Sequence, residues 1–213
     1  MIAVIDYKAG NLTSVMKALE ALGQSATVTA DPAVVRRASK VILPGVGHFQ
    51  ATQLLEQTGL TAAVREVIEQ GVPFLGICVG LQWLFEGSTE APNIRGLGAL
   101  PGNCERFPAG VKVPHVGWNS IRIQNGFRPG ETSPGELNLA ESKLLRGIPD
   151  GSFVYYTHSY RPPVVEGTVA ITEYGGAFSG AVERDNVMGV QFHPEKSGEA
   201  GMRLLRNFVE LPC

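Results

Sequence analysis

Short apolar, β-branched runs alternate with stretches of helical period along the first half of the chain, the pattern of parallel strands joined by crossover helices. IAVID (2–6), SATVT (25–29), KVILP (40–44) and PFLGI (73–77) read as strands. Asn11 is placed to cap a helix whose apolar face is Leu12, Val15, Met16, Leu19 and Leu22, with Gly23 as its stop. A turn at Asp31-Pro32 precedes the third strand, and LTAAVREVIEQG (60–71) gives a second amphipathic helix with Leu60, Val64, Val67 and Ile68 inward. The fold expected is α/β: a single doubly wound, mostly parallel sheet flanked by helices.

From about Ala91 to Gly151 the helical period fades and Pro and Gly become frequent, which predicts irregular loops with short strands near 120–123. SFVYYTHSY (152–160), TVAITEY (168–174), AFSGAVER (177–184) and NVMGVQF (186–192) then form a run of strands, partly antiparallel. Gly175-Gly176 and Asp185-Asn186 supply the tight turns. A last helix is expected over 198–210, with Ser197 as its cap and Met202, Leu205, Phe208 and Val209 on its buried side. No repeat or linker divides the 213 residues, so one domain is expected over 1–213.

Charge and composition exclude several roles. The net charge is −2 and the cations are scattered, so neither nucleic acid nor an anionic membrane is an expected partner. The N-terminus lacks a cationic segment before its few apolar residues, and the most apolar stretch, 72–85, is broken by Pro73, Gly76, Gly80 and Gln82. A cytoplasmic location is expected. Cys78, Cys104 and Cys213 are too few and too dispersed for a disulfide framework or a metal site, which leaves each a catalytic or an inert role.

The chemistry starts at FLGICVGLQW (74–83). A side chain at a strand-to-helix corner points out of the sheet only if the turn is tight and its neighbours are small, and G-x-C-x-G provides both. Cys78 is then a nucleophile with the Val79 N–H beside it, and a helix over Val79–Phe85 directs its positive end at the sulfur. The alternative is an ordinary buried cysteine whose glycines serve strand-to-helix packing. Downstream, VQFHPEKS (190–197) offers His193 as a base and Glu195 as the carboxylate that fixes its tautomer, since residues two apart in extended chain share a face. A solvated loop is the competing account of that stretch. In LPGVGHF (43–49), Gly45 and Gly47 can present backbone N–H groups to an oxyanion, or simply make a turn after a strand. In a doubly wound sheet all three pieces fall at the carboxyl ends of strands, where such folds carry their sites.

With G-I-C-V-G-L-Q, H-P-E and P-G-V-G in this order, the sequence resembles the class I (triad) glutamine amidotransferases over essentially its whole length. DYKAGNLTSV (6–15), KVPHVGWNSI (112–121), YYTHSY (155–160) and QFHPEKS (191–197) bring it nearest to the glutaminase subunits of the histidine pathway. Lys8, where the family more often has glycine, and Val79, where many relatives have leucine, depart from the pattern. The resemblance implies the class I fold and a Cys78-His193-Glu195 triad with an oxyanion hole at Gly47 and Val79. It implies a glutamine site at Gly45, Gln82, Glu90, Ser159 and Tyr160, and a γ-glutamyl thioester intermediate, with no cofactor and no metal. It further implies heterodimer formation with a separate (β/α)8-barrel cyclase subunit that receives the ammonia, with Asn11, Trp118, Tyr155 and Lys196 at the interface. From the residues alone, Trp118 and Tyr155 serve equally as core aromatics and Lys196 as a solvated charge. Competing accounts are a free-standing glutaminase for pyridoxal phosphate synthesis, and a cysteine peptidase or γ-glutamyl hydrolase that hands on no ammonia. A degenerate binding subunit would not need all of Cys78, His193 and Glu195.

Overall fold

The computed structural model describes residues 1–124 and 142–212. The 125–141 part of the stretch expected to be irregular, and Cys213, lie outside the described residues.

The first half alternates as expected. β1 (Ile2–Ile5) leads through α1 (Leu12–Ala21) to β2 (Ala26–Thr29), and α2 (Pro32–Val35) returns the chain to β3 (Lys40–Gly45). A 3-10 turn at Phe49–Thr52, α3 (Gln53–Gln57) and α4 (Leu60–Glu69) lead on to β4 (Phe74–Cys78), which runs directly into α5 (Val79–Gln82). β1, β3 and β4 are buried along their whole length, as strands covered on both faces must be. The step from β1 to β2 and the steps from β2 to β3 and β3 to β4 run in opposite directions across the sheet. Right-handed crossovers therefore put α1 on one face and α2 and α4 on the other, and α2 indeed packs on α4. Asp31 caps α2 by accepting from the Ala33 N–H, whereas the Asn11 side chain makes no capping hydrogen bond to α1.

β5 (Gly87–Ser88) follows α5, and the stretch expected to be irregular holds more strand than its Pro and Gly content suggested: β6 (Asn103–Arg106) and β7 (His115–Ser120) besides β8 (Arg122–Ile123), which lies where a short strand was expected. After it come β9 (Phe153–His158), β10 (Tyr160–Arg161), β11 (Thr168–Glu173), β12 (Ala177–Arg184) and β13 (Val187–Val190), a 3-10 turn at Pro194–Lys196, and α6 (Gly198–Val209). The main sheet has the order β2-β1-β3-β4-β13-β12-β11-β8, parallel from β2 to β13 and antiparallel beyond. β9 leaves this sheet and pairs antiparallel with β7 in a two-stranded ribbon, while β10, β6 and β5 form a third small sheet. Ser197 does not cap α6 with its side chain: its hydroxyl donates to the His193 carbonyl and accepts from the Tyr155 N–H. α6 buries Leu204, Leu205 and Phe208, with Met202 and Val209 only partly covered.

α5 is shorter than the expected Val79–Phe85. Its end tightens instead of continuing: Leu84 N–H donates to Leu81 O and Phe85 N–H to Gln82 O at i to i−3 spacing, and the carbonyls of Trp83, Leu84 and Phe85 accept from the incoming Leu97, Leu100 and Gly98 N–H groups. What α5 lacks in length it gains in proximity. A Cβ on Gly80 would overlap the carbonyl oxygen of Leu43, and one on Gly76 would overlap the carbonyl of Gly80, so the turn rests backbone-on-backbone against β3 and β4. Gly80→Ala should therefore destabilise the protein by roughly 3 kcal/mol in urea unfolding, since a backbone carbonyl cannot swing aside as a side chain can. A loss of under about 1 kcal/mol would show that the packing has slack.

Candidate active site

Three strand ends converge. Gly45 of β3 pairs with Cys78 of β4, and Ile77 pairs with Val190 of β13, so the loops after all three strands leave the sheet at one level. Cys78 sits at φ 55°, ψ −108°, a region that non-glycine residues avoid, and is 3% exposed. That conformation is the strained corner that G-x-C-x-G permits, and it turns the sulfur out of the sheet. What α5 offers the sulfur is the N–H groups of one helical turn rather than the field of a long helix.

His193, one of the most buried polar residues, follows β13 with its N–H donating to Tyr155 O and its carbonyl accepting from Ser197. Its Nδ1 lies 2.9 Å from Oε1 of Glu195, both side chains being almost wholly buried. Extended geometry is not what joins them: Glu195 stands in the 3-10 turn Pro194–Lys196, which folds the carboxylate back onto the ring. Burial disfavours charge on the imidazole, but the Cys78 sulfur and the Glu195 carboxylate outweigh it and raise the pKa to about 10. Nε2 meets no close hydrogen-bond geometry, yet the Cys78 sulfur is first among the groups that raise the ring's pKa, ahead of Glu195.

A cavity of about 240 Å3 opens beside Cys78, walled by Val46, Gly47, Val79, Gln82, Glu90, Pro114, Thr157, His158, Ser159 and Tyr160. Six of the residues singled out in the sequence thus share one wall with the cysteine. Gly47 has φ +86° and an exposed backbone. Glu90 is held by the Phe49 N–H at 2.7 Å. Gly45 lies one step inside, buried in β3, and does not reach the cavity. Trp118, Tyr155 and Lys196 cluster at the surface. Trp118 stands edge-on to Tyr155 at 6.1 Å between ring centroids, and Lys196 Nζ lies 5.8 Å from the Tyr155 ring. Core packing does not describe Trp118, which is 55% exposed. Asn11 is half-buried just before α1, a helix that packs on the 194–196 turn.

Other contacts had no signal in the sequence pattern. Gln191 Nε2 donates to Cys78 Sγ at 3.6 Å, and the thiol faces Thr157 O at 4.0 Å. Tyr7 is buried, its pKa raised by that burial and by Cys78. Among the described residues the buried side-chain atoms without a hydrogen-bond partner are Tyr7 Oη, His193 Nε2 and Glu195 Oε2, all beside this cysteine or its histidine. Among the described residues no group of His, Cys, Asp and Glu could hold a metal ion, and no helix is long and apolar enough to cross a membrane.

Residues 3–211 match the family profile described as glutamine amidotransferase class-I. The chain is 50% identical to a protein of Moorella thermoacetica named imidazole glycerol phosphate synthase subunit HisH, over 99% of this chain and 94% of that one. Proteins of the same name from Aquifex aeolicus (46%; 96% of this chain, 94% of the relative) and Bacillus cereus strain G9842 (44%; 98% and 93%) are also similar. Among solved structures, one described as glutamine amidotransferase superposes with a TM-score of 0.73 at 20% identity, covering 99% and 98% of the two chains. A second, PurLQS from Thermotoga maritima, gives 0.71 at 18%, covering 98% and 96%. At those identities the likeness is one of fold.

Burial also sets an acid limit. The pKa of His158 is lowered to about 3 and that of His115 to about 4, chiefly because each ring is desolvated. Both stay neutral in the fold while the unfolded chain takes up protons near pH 6.5, so their contribution is complete above about 6.5 and lost as pH falls toward about 4. His193, raised instead, is protonated in both states below about pH 5.5 and adds no slope there. Urea unfolding should lose about 1.4 kcal/mol per pH unit for each of the two rings, and His158→Gln should remove one such increment. Equal slopes in parent and variant would contradict this.

Proposed function

The chain belongs to the class I glutamine amidotransferases, and on that premise we propose that it is the glutaminase subunit of an imidazole glycerol phosphate synthase, acting in the cytoplasm and releasing ammonia for a separate cyclase subunit. The observation that carries the reading is the buried imidazole held by Glu195 and coupled to the Cys78 sulfur, next to a cavity of amino-acid size. Full-length similarity to relatives bearing that name supports the choice within the family.

In this mechanism the Cys78 thiolate attacks the side-chain carbonyl carbon of glutamine, and the N–H groups of Gly47 and Val79 receive the oxyanion. Protonated His193 gives its proton to the departing nitrogen, so ammonia leaves and a γ-glutamyl thioester remains. His193, now neutral, takes a proton from water; the hydroxide displaces the sulfur and glutamate is released. Glu195 orients the ring throughout and stabilises its charged form. Gln82, Glu90, Ser159 and Tyr160 are the polar groups available to hold the substrate's amino-acid end, with Gly45 behind them as backbone support. The cavity lies below the roughly 300–1,000 Å3 of sites for drug-sized ligands, which suits a single amino acid better than a peptide.

Ammonia set free in water at neutral pH is protonated and lost as a nucleophile, so the product must pass under cover to its acceptor. The β7–β9 ribbon is built for a partner. Cross-strand pairing puts Val116, Trp118, Phe153 and Tyr155 on one face and His115, Tyr156 and His158 on the other. The second set is buried, whereas Val116, Trp118 and Phe153 are each more than half exposed. Such a contiguous apolar patch marks a protein interface. A (β/α)8-barrel cyclase is the partner we assign to it, with Lys196 and Asn11 at its edge.

Because the sulfur serves only ammonia production, Cys78→Ala in the two-subunit complex should lower glutamine-dependent synthesis by about 10³-fold or more. Synthesis from added ammonium salts should stay at the parent's rate. Loss of both activities, or survival of both, would overturn the assignment.

A further inference from the structure

The amides of Gln82 and Gln191 link the cavity wall to the sulfur, and their orientations are not free. Tyr160 O is a carbonyl and can only accept, so the Gln82 atom 3.0 Å from it is the NH2 group. The same nitrogen lies 3.0 Å from the Gln191 amide, whose facing atom must then be the oxygen. That leaves the Gln191 NH2 pointing at Cys78 Sγ, 3.6 Å away. The carbonyl anchoring this order is itself held from the other side. His158 Nδ1 lies 2.8 Å from Tyr160 O and must be its donor, so Nε2 of that neutral ring accepts from His115 Nδ1 at 3.1 Å. One polar chain therefore runs from the inner face of the β7–β9 ribbon to the sulfur, with every donor assigned by a backbone carbonyl.

We propose that Gln191 is a positioning residue for the proposed nucleophile: its amide N–H, locked in place through Gln82 and the Tyr160 carbonyl, aims the Cys78 sulfur and favours its thiolate form. This rests on the assignment of Cys78 as nucleophile and adds a residue that carries no charge and touches no substrate. Gln191 is fully buried and absent from the cavity wall, so binding glutamine is not what it is for. The sulfur has two partners of opposite sense. As a thiol it can donate to Thr157 O; as a thiolate it can only accept, and the Gln191 N–H is an uncharged donor within reach, besides the protonated His193 ring. A donor to the charged form lowers a thiol's pKa, and removing it raises that pKa.

The test measures alkylation of Cys78 by iodoacetamide as a function of pH, located by peptide mass, in the full chain with its cyclase subunit, alongside kcat and KM for glutamine. Gln191→Met keeps the shape and removes the donor. Gln191→Glu is nearly isosteric and places a carboxylate there, which keeps the test alive should the Met variant fail to fold. The alkylation midpoint should move to higher pH in the Met variant, with a rate near neutral pH about tenfold lower, the equivalent of one pKa unit. It should move further in the same direction in the Glu variant. kcat should fall while KM changes by less than about twofold. An unshifted midpoint in a folded variant, with Cys78→Ala still inactive on glutamine, overturns the role of Gln191 alone. Glutamine-dependent synthesis surviving in Cys78→Ala overturns the nucleophile on which it rests.

Discussion

The backbone of α5 lies directly on β3 and β4, with no side chain between Gly80 and the Leu43 carbonyl, and the rest of the site is arranged around that contact. With the helical turn held so close, the chain can leave β4 only through a sharp corner. Cys78 occupies that corner at positive φ, where the sulfur stands clear of the sheet with the start of a helical turn beside it. On either side, parallel neighbours in register bring the Gly45–Gly47 loop and the His193–Glu195 turn to the same level. Sheet register, rather than any local motif, closes a gap of more than a hundred residues between cysteine and histidine.

Histidines within one small volume are held in opposite charge states by their surroundings. His193 is lifted because a carboxylate and a sulfur outweigh its burial, while His115 and His158 are depressed because burial among aromatic rings desolvates them, an effect that the Tyr160 carbonyl offsets only in part for His158. The outcome is one ring prepared to carry a proton and a pair fixed as neutral linkers. β9 connects the two environments. Tyr155 bonds through its carbonyl to His193 and through its N–H to Ser197, while its ring sits on the exposed face with Trp118. A partner docking on that face would press on the same strand that holds the His193–Glu195 turn.

Much of this was legible in the sequence where residues carry a physical signature of their own. The apolar runs of β1, β3 and β4, the helical stripe of α4, and the glycines around Cys78 each announce a geometry, and the strand ends followed from the fold class. Three features were hidden. α5 ends in a tightened turn whose last carbonyls are received by the N–H groups of Leu97, Gly98 and Leu100, a tertiary pairing with no local mark. β7 was obscured by Pro114 before it and Gly117 within it, and β9, though strand-like, gave no hint that it pairs with β7 rather than the main sheet. Gln191 lay inside a quoted motif but beside more conspicuous chemistry, and only the position of the Tyr160 carbonyl reveals which way its amide faces. The His193–Glu195 contact was expected from spacing, yet a turn rather than an extended chain makes it.

Everything rests on covalent chemistry at one sulfur. The most direct measurement is the mass of the Cys78 peptide after the two-subunit complex is mixed with glutamine and quenched in acid within a single turnover. The account predicts a γ-glutamyl adduct on that peptide that disappears when hydrolysis runs to completion. An adduct on the Cys104 or Cys213 peptide instead, or turnover with no protein-bound intermediate at any time, would contradict it.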